Sequence, residues 1–204
     1  MAPLLERRLV VEGRDDQWAI SALMIRHGTS FGARPPFDPE IRSTEGVPNL
    51  LEAIGAAVKT YDRLGIAVDA DEDPAARREA VRKRLAGMNP PDVLPADGFV
   101  GAGIRPDSRV GVWMMPDNAA RGMLETFLAT LVPPGDAAWP YAAEVVAEAR
   151  ARGARCGSTD KARMSTWLAW QDPEGRPLGP AITSRALGHE SPIAARFEAF
   201  FAAC

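Results

Sequence analysis

Two short apolar runs, each ending in carboxylates, constrain this chain more than any other feature. Arg8-Leu9-Val10-Val11 runs into Glu12-Gly13-Arg14-Asp15-Asp16, and Gly65-Ile66-Ala67-Val68 runs into Asp69-Ala70-Asp71. Each run is apolar for about four residues and is followed by an amphipathic helical pattern, the sequence form of a βα unit. In an open α/β sheet, ligands bind outside the carboxyl ends of the strands. Carboxylates gathered there repel: a like-charged pair at ~4 Å costs about 4 kcal/mol at an effective dielectric of ~20. A divalent cation removes that penalty, so the two strand tips read as a metal site.

The 204 residues suffice for one sizeable core, and a single α/β domain over 1–204 is the simplest organisation. No apolar stretch approaches a membrane span. The first eight residues lack a signal peptide's charged-then-apolar order, because Glu6-Arg7-Arg8 follow Leu4-Leu5. Two cysteines, Cys156 and Cys204, make no disulfide framework, so a reduced, cytoplasmic setting is expected. His27 and His189 are the two histidines, too few and too isolated in sequence for a zinc site. A net charge of −3 argues against a broad nucleic-acid-coating surface but leaves room for a local basic rim.

Along the chain, residues 7–12 are expected to form a strand. A helix follows from Asp15 to His27, with apolar positions Trp18, Ala19, Ala22, Leu23 and Ile25, and Gly28 ends it. Residues 29–39, rich in Gly and Pro, form a loop, and Glu40 to Ser43 a second strand. A second helix begins near Thr44 or Glu45, and Leu64 to Val68 is the third strand, buried on both faces as parallel strands are. Asp73-Pro74 opens a basic helix from Ala75 to Ala86. Phe99 to Ile104 and Arg109 to Met115 are strands joined by Arg105-Pro106-Asp107-Ser108, which suits a hairpin and an antiparallel addition. Four further helices are expected: Gly122 to Leu131, Tyr141 to Arg152, one capped by Ser158 or Thr159 and running to Gln171, and Pro192 to Ala203.

A strand ending in Glu12-Gly13, followed downstream by a strand ending in Asp69-x-Asp71, resembles the Toprim domain of topoisomerases, bacterial primases, small maturation nucleases and overcoming-lysogenization-defect (OLD) nucleases. Val112-Trp113-Met114-Met115-Pro116-Asp117-Asn118 and Thr166-Trp167-Leu168-Ala169-Trp170-Gln171 resemble a bacterial group of short, stand-alone Toprim proteins. The resemblance implies a Rossmann-like, mostly parallel sheet flanked by helices, with a core over about 7–130 and extra C-terminal helices over about 137–204. It implies that Glu12 is metal-associated or a general acid/base, and that Asp69 and Asp71 hold one or two Mg²⁺ (or Mn²⁺) ions that contact a phosphate. Hard carboxylate oxygens suit that ion. Asp16, four residues after Glu12, matches an acidic position that helps bind a second metal in OLD-like nucleases. Met123-Leu124-Glu125 resembles the family's Leu-Glu pair, and Asp160-Lys161-Ala162 the segment that supplies a catalytic lysine. The resemblance thus implies a metal-dependent nuclease acting on DNA or RNA.

Plainer readings stand beside these. Glu12-Gly13 could end its strand in a turn with Gly13 at positive φ, and Asp69, Asp71 and Asp73 could form a solvated loop in which Asp73 caps the next helix. An EF-hand is excluded, because Pro74 and Ala80 stand where that loop needs Gly and Glu. A haloacid-dehalogenase phosphatase also uses strand–Asp-x-Asp, but after its first strand. Glu125 could be an ordinary helix residue, and Asp117 a helix cap. Trp167, Leu168 and Trp170 read as packing residues, and Cys156 as structural. Arg77, Arg78, Arg82 and Lys83 are either a solvated helix face or a rim for a phosphate backbone.

The chain lacks the G-x-x-x-x-G-K-[ST] loop of a motor. It also has no room for the separate DNA-gate domain that topoisomerase chemistry requires. Two alternatives to a nuclease follow: a non-catalytic metal- and phosphate-binding module that partners a separate ATPase, or a small-molecule phosphatase.

Overall fold

A computed structural model describes residues 6–31 and 39–204; most of the loop expected over 29–39 lies outside the described residues. The strands are β1 (Arg7–Val11), β2 (Glu40–Ser43), β3 (Arg63–Asp69), β4 (Phe99–Ala102) and β5 (Arg109–Met115). They form one sheet in the order β2-β1-β3-β5-β4, parallel throughout except for β4, which pairs antiparallel to β5 at the edge. This is the α/β, Rossmann-like arrangement expected from the sequence.

Among the described residues, eight helices flank the sheet: α1 (Arg14–Arg26), α2 (Val47–Thr60), α3 (Pro74–Arg84), α4 (Leu124–Leu128), α5 (Ala138–Ala151), α6 (Thr159–Leu168), α7 (Leu178–Thr183) and α8 (Pro192–Ala203). Strand residues alternate between two cores, as a period of two requires. Leu9, Val11, Ala67, Trp113 and Met115 face one, with α1, α4, α6, α7 and α8. Val10, Leu64, Ile66, Val68, Val112 and Met114 face the other, with α2 and α3. Phe197 and Phe200 of α8 pack on Trp113 of β5, so the C-terminal helices complete the main core.

From β1 the chain crosses by α1 to β2 on one side, then by α2 to β3 on the other. The strand order therefore reverses between β1 and β3, and at such a switch point the loops diverge and leave a crevice at the carboxyl edge. Glu12 and Asp69 lie at that edge.

Several boundaries differ from expectation for local reasons. α2 starts at Val47 because Glu45 (φ 60°) and Gly46 (φ 118°) are left-handed and cannot begin a helix. The segment after Gly122 is helical only over α4, then tightens into a 3₁₀ turn at Ala129–Leu131. α6 ends at Leu168, beyond which Trp170 and Gln171 donate to carbonyls three residues back. α7 was not expected at all. On α1, Trp18 (62 % exposed) and Ile25 (59 %) point to solvent, and Ile20 and Met24 take the buried positions instead. Among the described residues, no helix is long and apolar enough to cross a membrane.

Candidate functional site

The tips of β1 and β3 touch. Glu12, the first residue beyond β1, accepts the backbone N–H of Asp69 on Oε1 at 2.8 Å. Asp69, the last residue of β3, in turn accepts the N–H of Leu124 on Oδ1 at 2.9 Å, drawing the start of α4 to the edge. Asp71 is held in a left-handed conformation (φ 52°) by a two-bond bridge to Gly122, and its Oδ2 pairs with the Arg77 guanidinium.

Asp16 folds back from the first turn of α1, its Oδ2 accepting the Gly13 N–H at 3.1 Å. Gly13 itself is extended (φ −122°), which rules out the positive-φ turn. A Cβ at this position would lie 3.0 Å from Asp16 Oδ2, so a larger residue would make that carboxylate shift by a few tenths of an ångström. The second residue of α4, Glu125, is buried, and Lys161 Nζ approaches its Oε1 to 3.8 Å. Lys161 sits in the first turn of α6, where its N–H is capped by Ser158 Oγ at 3.3 Å.

Burial dominates the electrostatics. It pushes the Glu12 carboxyl up to about 7 against the Asp69 N–H and Arg77, which favour the anion. It pushes Asp69 up to about 9, with repulsion from Asp16, Glu12, Glu125 and Asp71 adding to the effect. Asp16 and Glu125 are raised for the same first reason, and in both Lys161 partly offsets it. Five carboxyl groups, from the residue after β1, from α1, from the end of β3, from the loop after it and from α4, thus share one electrostatic neighbourhood. Among the described residues, no three His, Cys, Asp or Glu side chains form a ready-made metal cage. Glu12 Oε2 and Asp69 Oδ2 have no hydrogen-bond partner among the described residues, which leaves each carboxyl an oxygen for a ligand.

The basic helix is partly neutralised. Arg77 pairs with Asp71, Arg82 with Glu79 and Asp92, and Lys83 with Glu79, while Arg78 has no ion-pair partner among the described residues. Asp73 caps α3, accepting the Ala76 N–H. Asp117 accepts the N–H groups of Ala119 and Ala120 in a turn, so it caps that turn and not a helix. Beside it, buried Asn118 accepts from Met114 N and donates to Ala96 O, which fixes the end of β5.

Trp167 and Leu168 are core residues as expected, but Trp170 is 43 % exposed and stacks on Tyr141. The two histidines are not isolated in space: their rings meet edge-on at 5.4 Å, and His27 also faces Glu198. Cys156 and Cys204 are both free thiols. Sequence reasoning missed Asp15, Ser165 and Arg176, which line a cleft of about 340 Å³ beside Glu125. Only the docking of the 175–178 turn against α1 and α6 creates it.

A family model described as "Protein of unknown function (DUF3226)" matches residues 6–204. The chain belongs to the DUF3226 family. The match runs from β1 through α8, so every DUF3226 site residue named above lies within it. No curated protein and no solved structure matches the chain.

Proposed function

We propose that this DUF3226 chain is a Toprim-like, Mg²⁺-dependent phosphodiester hydrolase acting on DNA or RNA. One observation carries the reading: Glu12 and Asp69 are in contact at the sheet's switch point, with Asp16, Asp71, Glu125 and Lys161 around them. The donor set fits a hard divalent cation, since it is all oxygen, carries excess negative charge and offers the second oxygens of Glu12 and Asp69. A bound Mg²⁺ or Mn²⁺ would stabilise negative charge on phosphate oxygens.

The chain's own groups do the rest. The Asp69 N–H and the Leu124 N–H orient the two central carboxyls. Lys161, 60 % exposed and held beside Glu125, can turn its ammonium toward a phosphate and offset charge growing there. Arg78, and Arg77 once released from Asp71, offer phosphate contacts at the rim, with Arg82 and Lys83 further along α3. A cytoplasmic location belongs to the same proposal, supported by the two free thiols.

The test is direct. With Mg²⁺ or Mn²⁺, purified protein should cut supercoiled plasmid or labelled single strands, and Asp69→Ala should slow cutting by about 100-fold or more. Cutting that persists unchanged in Asp69→Ala contradicts the assignment. The pairing of Arg77, Arg82 and Lys83 with acids weakens the basic rim and favours a second reading: a non-catalytic phosphate-binding module with a separate ATPase partner. Co-purification with such an ATPase, together with no turnover by the isolated chain, would support that reading.

A further inference from the structure

Arg7, Arg63 and Arg109 stand side by side on β1, β3 and β5. The strand register pairs Arg7 with Arg63 and Arg63 with Arg109 at the amino edge of the sheet, and it carries the row on to Ala102 of β4. Register partners share a face, here the one on which Leu9, Ala67 and Trp113 enter the main core. Asp69 lies at the far end of β3, about 20 Å from Arg63 at ~3.3 Å per residue, so the row is separate from the carboxylate centre.

The guanidinium-bearing Arg63, Arg105 and Arg109 line a cavity of about 800 Å³ at this edge, and Asp107 is the single carboxylate among its lining residues. Two of the three arginines have work in the fold. Arg105 pairs with Asp62 and donates to the Thr60 carbonyl at 3.0 Å, which ties the hairpin to the end of α2. Arg63, half-buried, donates to the Ala203 carbonyl at 3.4 Å, where a cation suits the negative end of α8. Arg109 is exposed, and its side chain has neither a hydrogen-bond nor an ion-pair partner among the described residues. Arg63 and Arg109 both favour the Cys204 thiolate, against the burial that pushes this thiol up to about 12, so their charges converge near the end of α8.

Like charges on adjacent strands repel, and the cavity that these two share admits an anion that relieves the repulsion. The geometry also selects the kind of anion. One guanidinium satisfies a carboxylate through two parallel hydrogen bonds and leaves the second without a partner, whereas a phosphate has oxygens enough for both. Val100 and Ala102 of β4 line the same cavity with small apolar surface, which leaves space for the rest of a ligand. The volume falls within the ~300–1,000 Å³ range of small-ligand sites. With Arg105 neutralised by Asp62 and Asp107 in the lining, the positive charge is confined to the Arg63–Arg109 pair and makes no track for a nucleic-acid backbone.

We infer that the amino edge of the sheet holds a second site, in which Arg63 and Arg109 bind the phosphate of a small phosphate-bearing molecule. The site is independent of the metal centre and of the nuclease reading.

Isothermal titration calorimetry on the full chain, freed of metal by a chelating resin, tests this with pyrophosphate, inorganic phosphate and acetate at constant ionic strength. Both phosphates should bind, and acetate should bind more weakly by about ten-fold or more. Arg109→Gln removes an exposed, unpartnered side chain, so the fold persists, and both phosphates should lose about ten-fold or more in affinity. Arg109→Lys, which keeps the charge without the planar fork, should fall between wild type and Arg109→Gln. Asp69→Ala should bind both phosphates as the wild type does. No binding of either phosphate by the wild-type chain, wild-type affinity in Arg109→Gln, or acetate bound as tightly as phosphate overturns the inference. Loss of phosphate binding in Asp69→Ala also overturns it, because the anion would then sit at the carboxylate edge. A single strand of about 12 nucleotides whose affinity falls in Arg109→Gln, with no binding of pyrophosphate, overturns the small ligand and gives the arginines to nucleic acid.

Discussion

Glu12 and Asp69 carry their protons to a higher pH in the fold than in the unfolded chain, and burial is the main reason. The folded state therefore binds more protons than the unfolded state across neutral pH, and stability falls as pH rises there. The favourable term is fully present below the ordinary carboxyl values of 4.5 and 3.8, and is lost as pH passes about 7 for Glu12 and about 9 for Asp69. In a chelator, thermal unfolding should move to lower temperature between about pH 5 and about pH 9. At ~1.4 kcal/mol per pKa unit, the roughly six units spanned by the two groups within that interval set a loss on the order of 5–10 kcal/mol. Millimolar Mn²⁺ should flatten the profile by favouring the ionised carboxyls. A melting temperature in chelator that is constant or rises over that interval would show that these carboxyls are not held protonated.

At the level of elements, the strands and the longer helices were legible because their residues obey simple periods. β2 and α8 fall where expected, and α3 begins at the Asp73 cap followed by Pro74. α7 was not legible, because Gly179 and Pro180 inside Leu178–Thr183 are helix-breaking residues in isolation. Tertiary packing overrides that preference. α7 lies against α1 so closely that a Cβ on Gly179 would sit 2.8 Å from the Trp18 carbonyl oxygen. Gly179→Val should push α7 away from α1 and cost about 1–3 kcal/mol by overpacking, read as a shift in the denaturation midpoint. Wild-type stability in this variant would contradict the close contact. The same unforeseen packing explains why the cleft was invisible to sequence reasoning: its Arg176 comes from the turn just before α7. By contrast, Glu12, Asp69 and Asp71 were legible as candidates because a strand end dictates where its next residue emerges. Trp18 and Ile25 misled because they lie within reach of an apolar helical pattern yet on its solvent flank.

For the whole molecule, topology gathers what the chain keeps apart. The reversal between β1 and β3 puts Glu12 against Asp69, α1 returns Asp16 to Gly13, and α4 and α6 add Glu125 and Lys161. Five carboxyls held together by the fold, two of them raised to about 7 and about 9, form an arrangement that a divalent cation relieves. The central claim is that one cation binds both strand tips. Anomalous diffraction from crystals soaked in Mn²⁺ measures this directly. The expected result is a peak at about 2 Å from oxygens of both Glu12 and Asp69, absent in Asp69→Ala crystals. A Mn²⁺-soaked wild-type crystal with no peak between those two carboxyls would contradict it.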